Sequence, residues 1–413
     1  MKSLFSWFRE LNTSIVNLFT VIFNSAQSIL FLGLVGRSWS PSLLGELLAI
    51  EAGINLLLAF PSILADIAGY ELLKEPDNRT RNEIYLSSAK ASLYISLLLI
   101  SLVPLLLIQK HSINNWIIVI YASIRLIINP IIGAMSKRLF SDNQLNLSFL
   151  LGALDQSFLF LPAYLSILIG KSLGVAFVIA SFIRILQGLF QFVLLTKLFP
   201  QKQIWKANEI SDWSSKKLLS RTLILCPSQL PTPILQNSIS LVMATLVSQS
   251  ALAIFSTHRT AAGFLGQFSN ALMEPKYPEM LRSNDKIASC WRVSKNTQTY
   301  IVLVIPAMIF LFPIVYPAWM GKQYPLDMLL FICLLLVQFL RQLQQPIATL
   351  LRSLNQLVPS LIDNWIPLMV VWSLLAILEP NTPIGFSLIL LTSEVTMLIC
   401  RVKYISTSSI FQL

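Results

Sequence analysis

The stretch that decides the fold runs from Ser250 to Leu281 and reads SALAIFSTHRTAAGFLGQFSNALMEPKYPEML. It is long and apolar enough to cross a bilayer, yet it places His258 and Arg259 near the middle of that span. Polar and small residues recur there at steps of three or four, so they form one stripe on an α-helix. A stripe with a cation at mid-depth cannot face lipid, so the other helices must enclose it. The stripe comprises Ser256, Arg259, Gly263, Gly266, Asn270 and Glu274.

The composition is that of a membrane protein. The chain has 413 residues, of which 55% are hydrophobic and 12% are charged, whereas soluble domains carry about 25% charged residues. The mean hydropathy is +0.70, and apolar runs of roughly 20 residues recur from end to end. These features predict an all-α polytopic membrane protein.

The apolar runs predict twelve transmembrane helices in two six-helix lobes. The expected first lobe covers residues 1–200, a cytoplasmic linker covers 201–220, and the second lobe covers 221–413. The spans are expected at roughly 12–35, 43–67, 86–109, 115–135, 146–169, 172–196, 221–247, 250–274, 297–316, 326–348, 357–378 and 383–400.

The basic residues predict the orientation. Of the 30 Lys and Arg residues, 22 lie on one side of the predicted spans, 4 lie on the other side, and 4 lie inside spans. The positive-inside rule therefore places both termini in the cytoplasm. The expected location is the plasma membrane, or the inner membrane of a cell with two.

The two halves carry a weak internal repeat. The pattern Arg125-x4-Pro130 recurs as Arg341-x4-Pro346 at an offset of 216, and Asn24-Ser25 recurs as Asn237-Ser238 at an offset of 213. Six spans per half make this a parallel repeat, with the two lobes expected around a central cavity.

Four arginines lie near mid-depth in the predicted spans, and each costs ~2.5–3.5 kcal/mol at the centre of an isolated helix. Partners, water or a ligand must offset that cost, which leaves a hydrated ligand-facing cavity and an internal salt-bridge network as alternatives. The arginines are Arg125, Arg184, Arg259 and Arg341. The mid-depth acids that could pair with them are Glu51, Asp155 and Glu394.

The predicted seventh span contains three prolines within LCPSQLPTP, namely Pro227, Pro231 and Pro233. Each proline removes a backbone donor and bends a helix. The segment is therefore either a hinge for alternating access or a static kink.

The chain lacks the marks of an enzyme or a metalloprotein. It has no P-loop, no nucleophile motif and no long external loop, its four cysteines are scattered singly, and its two histidines are far apart in sequence. No catalytic residue, metal or cofactor is therefore expected, and the clustering of the basic residues in loops argues against nucleic-acid binding.

At the level of motifs, two segments resemble a family of polysaccharide and lipid-linked oligosaccharide flippases. This family belongs to the superfamily that also contains the multidrug and toxin extrusion (MATE) transporters. One segment is AIFSTHRTAAGFLGQFSNALMEPKYPEM, and the other is PSLLGELLAIEAGINLLLAF, which begins at Pro41. The residues that carry the likeness are Gly45, Phe255, Ser256, Arg259 and Pro275. The chain departs from the family at Asn237-Ser238, where members often have an acid.

The resemblance implies a non-enzymatic flippase that moves an undecaprenyl-diphosphate-linked glycan from the inner to the outer leaflet. Such a protein would contact the lipid-linked glycan, membrane lipids and glycan assembly proteins, with H+ or Na+ as candidate coupling ions. The alternatives are an ion-coupled MATE-like multidrug antiporter, a major-facilitator-type transporter and a glycan polymerase. The candidate substrate-binding residues are Arg125, Arg184, Arg259, Arg341, Asn24 and Asn237. The candidate ion-coupling residues are His258, Glu51, Asp155 and Glu394.

Overall fold

The computed structural model describes residues 13–74, 78–104, 114–141, 160–170, 172–198, 231–273, 285–353 and 357–407, with single positions within 220–230 and 276–283. The described residues form helices and no strand. The helices are α1 Thr13–Ser38, α2 Pro41–Lys74, α3 Asn78–Ile100, α4 Asn115–Ser141, α5 Phe160–Leu168, α6 Leu173–Leu198, α7 Pro231–Leu246, α8 Gln249–Met273, α9 Lys286–Met320, α10 Met328–Ser353, α11 Leu357–Leu378 and α12 Pro383–Thr407.

The predicted fold class is confirmed. These helices follow the order of the twelve predicted spans, and within the described residues seven are long and apolar enough to cross a membrane. Helix α8 is not among the seven, because its polar stripe lowers its hydropathy. The seven segments are Pro41–Gly69, Thr80–Ile100, Asn115–Leu139, Leu173–Gln191, Ile301–Met320, Met328–Ala348 and Pro383–Arg401. Much of the predicted fifth span and the start of the seventh lie outside the described residues.

The contacts divide the chain into two compact units. The first unit contains Ile50–Ile234, where α4 packs against α3 and α6, and α5 packs against α6. The second unit contains Asn12–Ala49 and Leu235–Leu413, where α10 packs against α8, α9 and α12. In the second unit α1 also packs against α8 and α9. Nearly all of the predicted linker 201–220 lies outside the described residues, so the lobe boundaries stay a prediction.

Helix α1 is fastened to α9 by side chains that bind its backbone. The Trp319 indole Nε1–H donates to the Ile29 carbonyl at 2.5 Å, and the Arg37 guanidinium donates to the Ala318 carbonyl. A Cβ on Gly33 would lie 2.3 Å from the Trp319 ring. Because the last carbonyls of a helix lack intrahelical partners, the Gln323 amide donates to that of Gly36 at 3.3 Å.

Gly45 allows α2 and the start of α8 to meet backbone to backbone. A Cβ on Gly45 would lie 1.8 Å from the Gln249 carbonyl oxygen, which is closer than two atoms can approach without a shift of the backbone. The Ser42 hydroxyl donates to the side-chain oxygen of Gln249 at 3.3 Å beside this contact. Both residues lie in the second unit, so this contact fixes the first turn of α8.

We predict that Gly45→Ala destabilises the protein and that Gly263→Ala does not. The new methyl group at position 45 meets backbone atoms, and overpacking of this kind costs roughly 1–3 kcal/mol. A Cβ at position 263 meets nothing within 4 Å. The melting temperature of the purified protein in detergent is the measurement. Equal melting temperatures for the two variants would contradict the close approach at Gly45.

Cys290 provides a prediction about pH. It is buried in α9 before the apolar segment Ile301–Met320, and burial raises the pKa of its thiol to about 11. Because the thiolate is the nucleophile, the folded protein should react slowly with a maleimide at pH 8 and faster as the pH rises toward 11. The assay uses a variant that retains only Cys290, with the denatured protein as the control. Rapid labelling of the folded protein at pH 8 would show that the thiol is not buried.

Candidate functional site

The first unit contains a closed polar cluster around Glu51, which we call the Glu51 cluster: Glu51, Asn55, Tyr121 and Arg125. The Arg125 Nη1–H donates to Glu51 Oε2, and the Tyr121 hydroxyl donates to Glu51 Oε1 at 2.6 Å. The Arg125 Nη2–H donates to Asn55 Oδ1 at 3.0 Å. Both oxygens of the carboxylate are therefore satisfied, and the side chains of Arg125 and Glu51 are only 8% and 6% exposed.

Helix α6 places a second arginine beside this cluster. Arg184 is buried, lies within electrostatic range of the Tyr121 hydroxyl, and donates to Gln187 Oε1 at 2.9 Å. Gln191, one turn further along α6, is buried, and both its amide oxygen and its amide nitrogen lack hydrogen-bond partners among the described residues. Glu51, Arg125 and Arg184 together carry one net positive charge.

The second unit contains a more open cluster around Glu394, which we call the Glu394 cluster: Arg341, Gln344, Glu394 and Arg401. The Arg341 Nε–H donates to Glu394 Oε1 at 2.5 Å. The Gln344 amide donates to the Glu394 backbone carbonyl at 3.2 Å and accepts from Arg401 Nη1 at 3.1 Å. Glu394 Oε2 is buried and has no hydrogen-bond partner among the described residues.

Arg259, from the stripe of α8, lies beside the Glu394 cluster. It is within electrostatic range of both Arg341 and Glu394, and it makes no hydrogen bond or ion pair with a described residue. Gly266 of the same stripe packs against α10, where a Cβ would lie 3.0 Å from Gln342 Nε2 and 3.2 Å from Gln338 Oε1. This part of the stripe therefore faces another helix of its unit, as its polarity requires.

The two repeat-related arginines, Arg125 and Arg341, both pair with a carboxylate. Their partners come from different helices, since Glu51 lies on α2 and Glu394 lies on α12. The salt-bridge alternative raised by the sequence therefore holds for these two arginines. The sequence did not identify Tyr121 or Arg401 as members of these clusters. Tyr121 lies four residues before Arg125, so helical spacing could have placed it on the same face.

The two ring nitrogens of His258 are both used by backbone groups of the second unit. Nε2 accepts from the Asp327 N–H at 3.1 Å, and Nδ1 lies 2.8 Å from the Ile254 carbonyl oxygen. This geometry assigns a neutral imidazole with its proton on Nδ1. The ring also packs against Phe312 and Tyr316. A second proton on Nε2 would face the Asp327 N–H, so the arrangement disfavours ion coupling at His258.

The remaining predicted site residues are described less fully. Asn24 lies in α1, but its side chain is outside the described residues, and so is all of Asp155. Asn237 is half-buried in α7 and has an interaction there. Both asparagines stay predictions as substrate-binding residues.

The predicted hinge lies at the start of α7. Pro231 is the first residue of that helix, Pro233 follows inside its first turn, and Pro227 is exposed. Leu230 N–H donates to the Cys226 carbonyl at 2.8 Å, and Ile234 N–H donates to the Leu230 carbonyl at 3.2 Å. Helical hydrogen bonds thus continue on both sides of Pro231, and a hinge there stays a prediction.

The comparisons with known proteins identify the class of fold. No protein-family model and no curated protein matches the sequence. The MATE multidrug transporter DinF-BH is 14% identical over 97% of this chain and 95% of its own, with a TM-score of 0.73. A variant of the Vibrio cholerae MATE transporter VcmN is 14% identical over 99% of both chains, with a TM-score of 0.62. The chain therefore has the fold of the MATE transporters.

This likeness refines the expectation from the sequence. The neighbours belong to the superfamily that the resemblance named, since one is described as a multidrug resistance MATE family transporter of that superfamily. That structure is 12% identical over 97% of both chains, with a TM-score of 0.59. At such identities the likeness extends to the fold, and it does not support the narrower flippase family.

We predict that Tyr121→Phe lowers stability while Tyr94→Phe does not. Tyr121 donates to the buried Glu51 carboxylate, and hydrogen bonds to charged groups contribute about 1.5–3 kcal/mol. Tyr94 is 67% exposed, so Tyr94→Phe is a control that removes the same hydroxyl group from an exposed side chain. Melting temperatures in detergent compare the two variants. An unchanged melting temperature for Tyr121→Phe would show that this hydroxyl does not stabilise the Glu51 cluster.

Proposed function

We propose that this protein is a membrane exporter that works by alternating access and carries an anionic, amphipathic cargo. The cargo class is a diphosphate-linked oligosaccharide lipid, moved from the inner to the outer leaflet for surface polysaccharide synthesis. One observation supports a negatively charged cargo. Glu51 and Glu394 each form an ion pair with an arginine, and Arg184 and Arg259 add positive charge beside them.

Phosphate groups are suitable ligands for these buried arginines. Arginine binds phosphate oxygens through a planar fork of donors, and charge-assisted hydrogen bonds are roughly twice as strong as neutral ones. A bound anion would also offset the cost of the surplus buried charge, ~2.5–3.5 kcal/mol per arginine. A cationic drug about 8 Å from Arg259 would instead be repelled by about 2 kcal/mol at an effective dielectric constant of 20.

The second candidate is an ion-coupled multidrug antiporter of the MATE type. The comparisons favour it over the flippase, because the solved structures with this fold are described as MATE multidrug transporters. In that case H+ or Na+ would drive export, with Glu51, Glu394 or Asp155 as the coupling group. The fold thus supports the antiporter, whereas the charges of the described clusters support an anionic cargo.

Transport without catalysis, a plasma or inner membrane location and cytoplasmic termini belong to the same proposal. Its support is the distribution of basic residues, with 22 of 30 on one side of the predicted spans. A cysteine-accessibility or reporter-fusion map of both termini tests the orientation. A terminus reached from outside intact cells would contradict it.

The cargo is tested by expression in two host strains, one that lacks its own oligosaccharide flippase and one that is hypersensitive to cationic drugs. We expect the protein to restore surface glycan in the first strain and to leave drug resistance unchanged in the second. Arg259→Ala should reduce glycan output at least about tenfold, because it removes a charge-assisted contact. Arg292→Ala removes an exposed arginine of α9 and should retain output.

The opposite outcomes separate the two candidates. Drug resistance without glycan output would favour the antiporter and contradict the flippase. Normal glycan output from Arg259→Ala, at equal membrane abundance, would remove Arg259 from the cargo site.

A further inference from the structure

We infer that the two repeat-related arginines have diverged in role. Arg125 is a structural residue of the first unit, whereas Arg341 and Arg259 form an anion-binding site in the second unit that takes a phosphate or diphosphate group. The assignment of this group to a lipid-linked cargo rests on the proposed function, but binding of the group itself does not.

Both Nη groups of Arg125 are used within its own unit, and only its buried Nε lacks a described hydrogen-bond partner. Nη1 donates to Glu51 and Nη2 donates to Asn55, while Tyr121 lies against the same carboxylate. The Arg125 guanidinium carbon also lies 5.7 Å from the centre of the Tyr121 ring. With its side chain 8% exposed, this guanidinium is enclosed by groups of its own unit.

Arg341 is held differently. Its only hydrogen bond to a described residue is the one from Nε to Glu394, so both Nη groups keep their donors available. The Arg341 side chain is 21% exposed, against 8% for Arg125. A guanidinium that is fixed through Nε and open at its Nη edge can bind two oxygens of one phosphate.

Glu394 leaves one of its two carboxylate oxygens without a described donor. Its side chain is 3% exposed, and Oε2 is buried without a donor among the described residues. Other polar atoms on α8 and α10 share this condition. They are Ser269 Oγ, Asn270 Oδ1 and Gln342 Oε1, each buried with no described hydrogen-bond partner. Buried polar groups are satisfied in stable proteins, so these atoms require water or the hydroxyls of a ligand.

The charges of the second unit favour a dianion. The ionisable groups beside the Glu394 carboxylate are Arg259 on α8 and Arg341 on α10, while Arg401 on α12 is joined to them through Gln344. On α11 the described side chains, those of residues 364–378, include no charged one, and the side chain of Asp363 just before them lies outside the described part. Among the described side chains Arg259, Arg341 and Glu394 carry one net positive charge, and Arg401 beside Gln344 adds a second, an excess that suits a phosphate or a diphosphate.

Inorganic pyrophosphate is the probe, and its binding to the purified full-length protein is measured by calorimetry in detergent. We expect Arg341→Gln to weaken binding roughly tenfold to 100-fold, since it removes contacts to a charged group. Arg125→Gln should lower the melting temperature and leave binding within about twofold of the wild type. Arg341→Lys keeps the charge yet should also weaken binding, because an ammonium cannot hold Glu394 and present a planar edge.

Substitutions of the two carboxylates provide a matched comparison. If both carboxylates were purely structural, the two substitutions would have the same effect on pyrophosphate binding. Glu394→Gln still accepts the Arg341 Nε–H but removes a negative charge beside the anion, so it should strengthen pyrophosphate binding about threefold to tenfold. Glu51→Gln, measured on the monodisperse fraction, should leave the dissociation constant unchanged.

The proposal is overturned if the wild type does not bind pyrophosphate, if Arg341→Lys and Glu394→Gln both bind like the wild type, or if Arg125→Gln weakens binding as much as Arg341→Gln. A different result is expected if the anion site exists but the protein is not a glycan flippase. Glycan complementation would then be absent while pyrophosphate binding kept its dependence on Arg341.

Discussion

The constraint on which the structure depends is the cost of placing arginines inside apolar helices. Arg125 and Arg341 each meet that cost with a carboxylate from a neighbouring helix of the same unit. The pairing links α4 to α2 in the first unit and α10 to α12 in the second. Removal of one partner of a buried pair typically costs about 3–5 kcal/mol, because the other charge stays buried and uncompensated. Each ion pair therefore joins two helices of its unit at one buried point.

The two units use similar charges in a different order. Along the chain the first unit has Glu51, Arg125 and Arg184 on α2, α4 and α6, and the second has Arg259, Arg341 and Glu394 on α8, α10 and α12. The arginine of the middle helix matches across the internal repeat, whereas the acid and the second arginine have exchanged positions. Each set keeps one net positive charge. The second leaves a carboxylate oxygen and both Nη groups of Arg341 without described partners, whereas in the first both Nη groups of Arg125 are used and only its buried Nε lacks one.

The sequence predicts the class of fold well, because helix length and hydropathy are local properties. It also locates four arginines within the predicted spans, since their positions in the chain fall inside those segments. It cannot choose which acid pairs with which arginine, because that choice depends on contacts between distant segments. The close approach of Gly45 and Gln249 depends on contacts of the same kind.

Two residues show what local patterns do not reveal. Arg401 directly follows the predicted twelfth span, and the sequence does not show that α12 continues to Thr407 or that Arg401 is buried beside Gln344. His258 looked like an ion-coupling group from its predicted depth alone. Its ring nitrogens are used by the Ile254 carbonyl and the Asp327 N–H. Sequence patterns do not display backbone partners that lie in other helices, so this role was not visible.

The most direct test of the account is a pair of double-mutant cycles on stability, one for Arg125 with Glu51 and one for Arg341 with Glu394. Each cycle compares the wild type, the two single glutamine variants and the double variant. The account predicts a coupling energy near the upper end of the roughly 0.5–3 kcal/mol range for Arg125 and Glu51, and a clearly smaller value for the open pair. Equal coupling energies, or a larger value for Arg341 and Glu394, would contradict it.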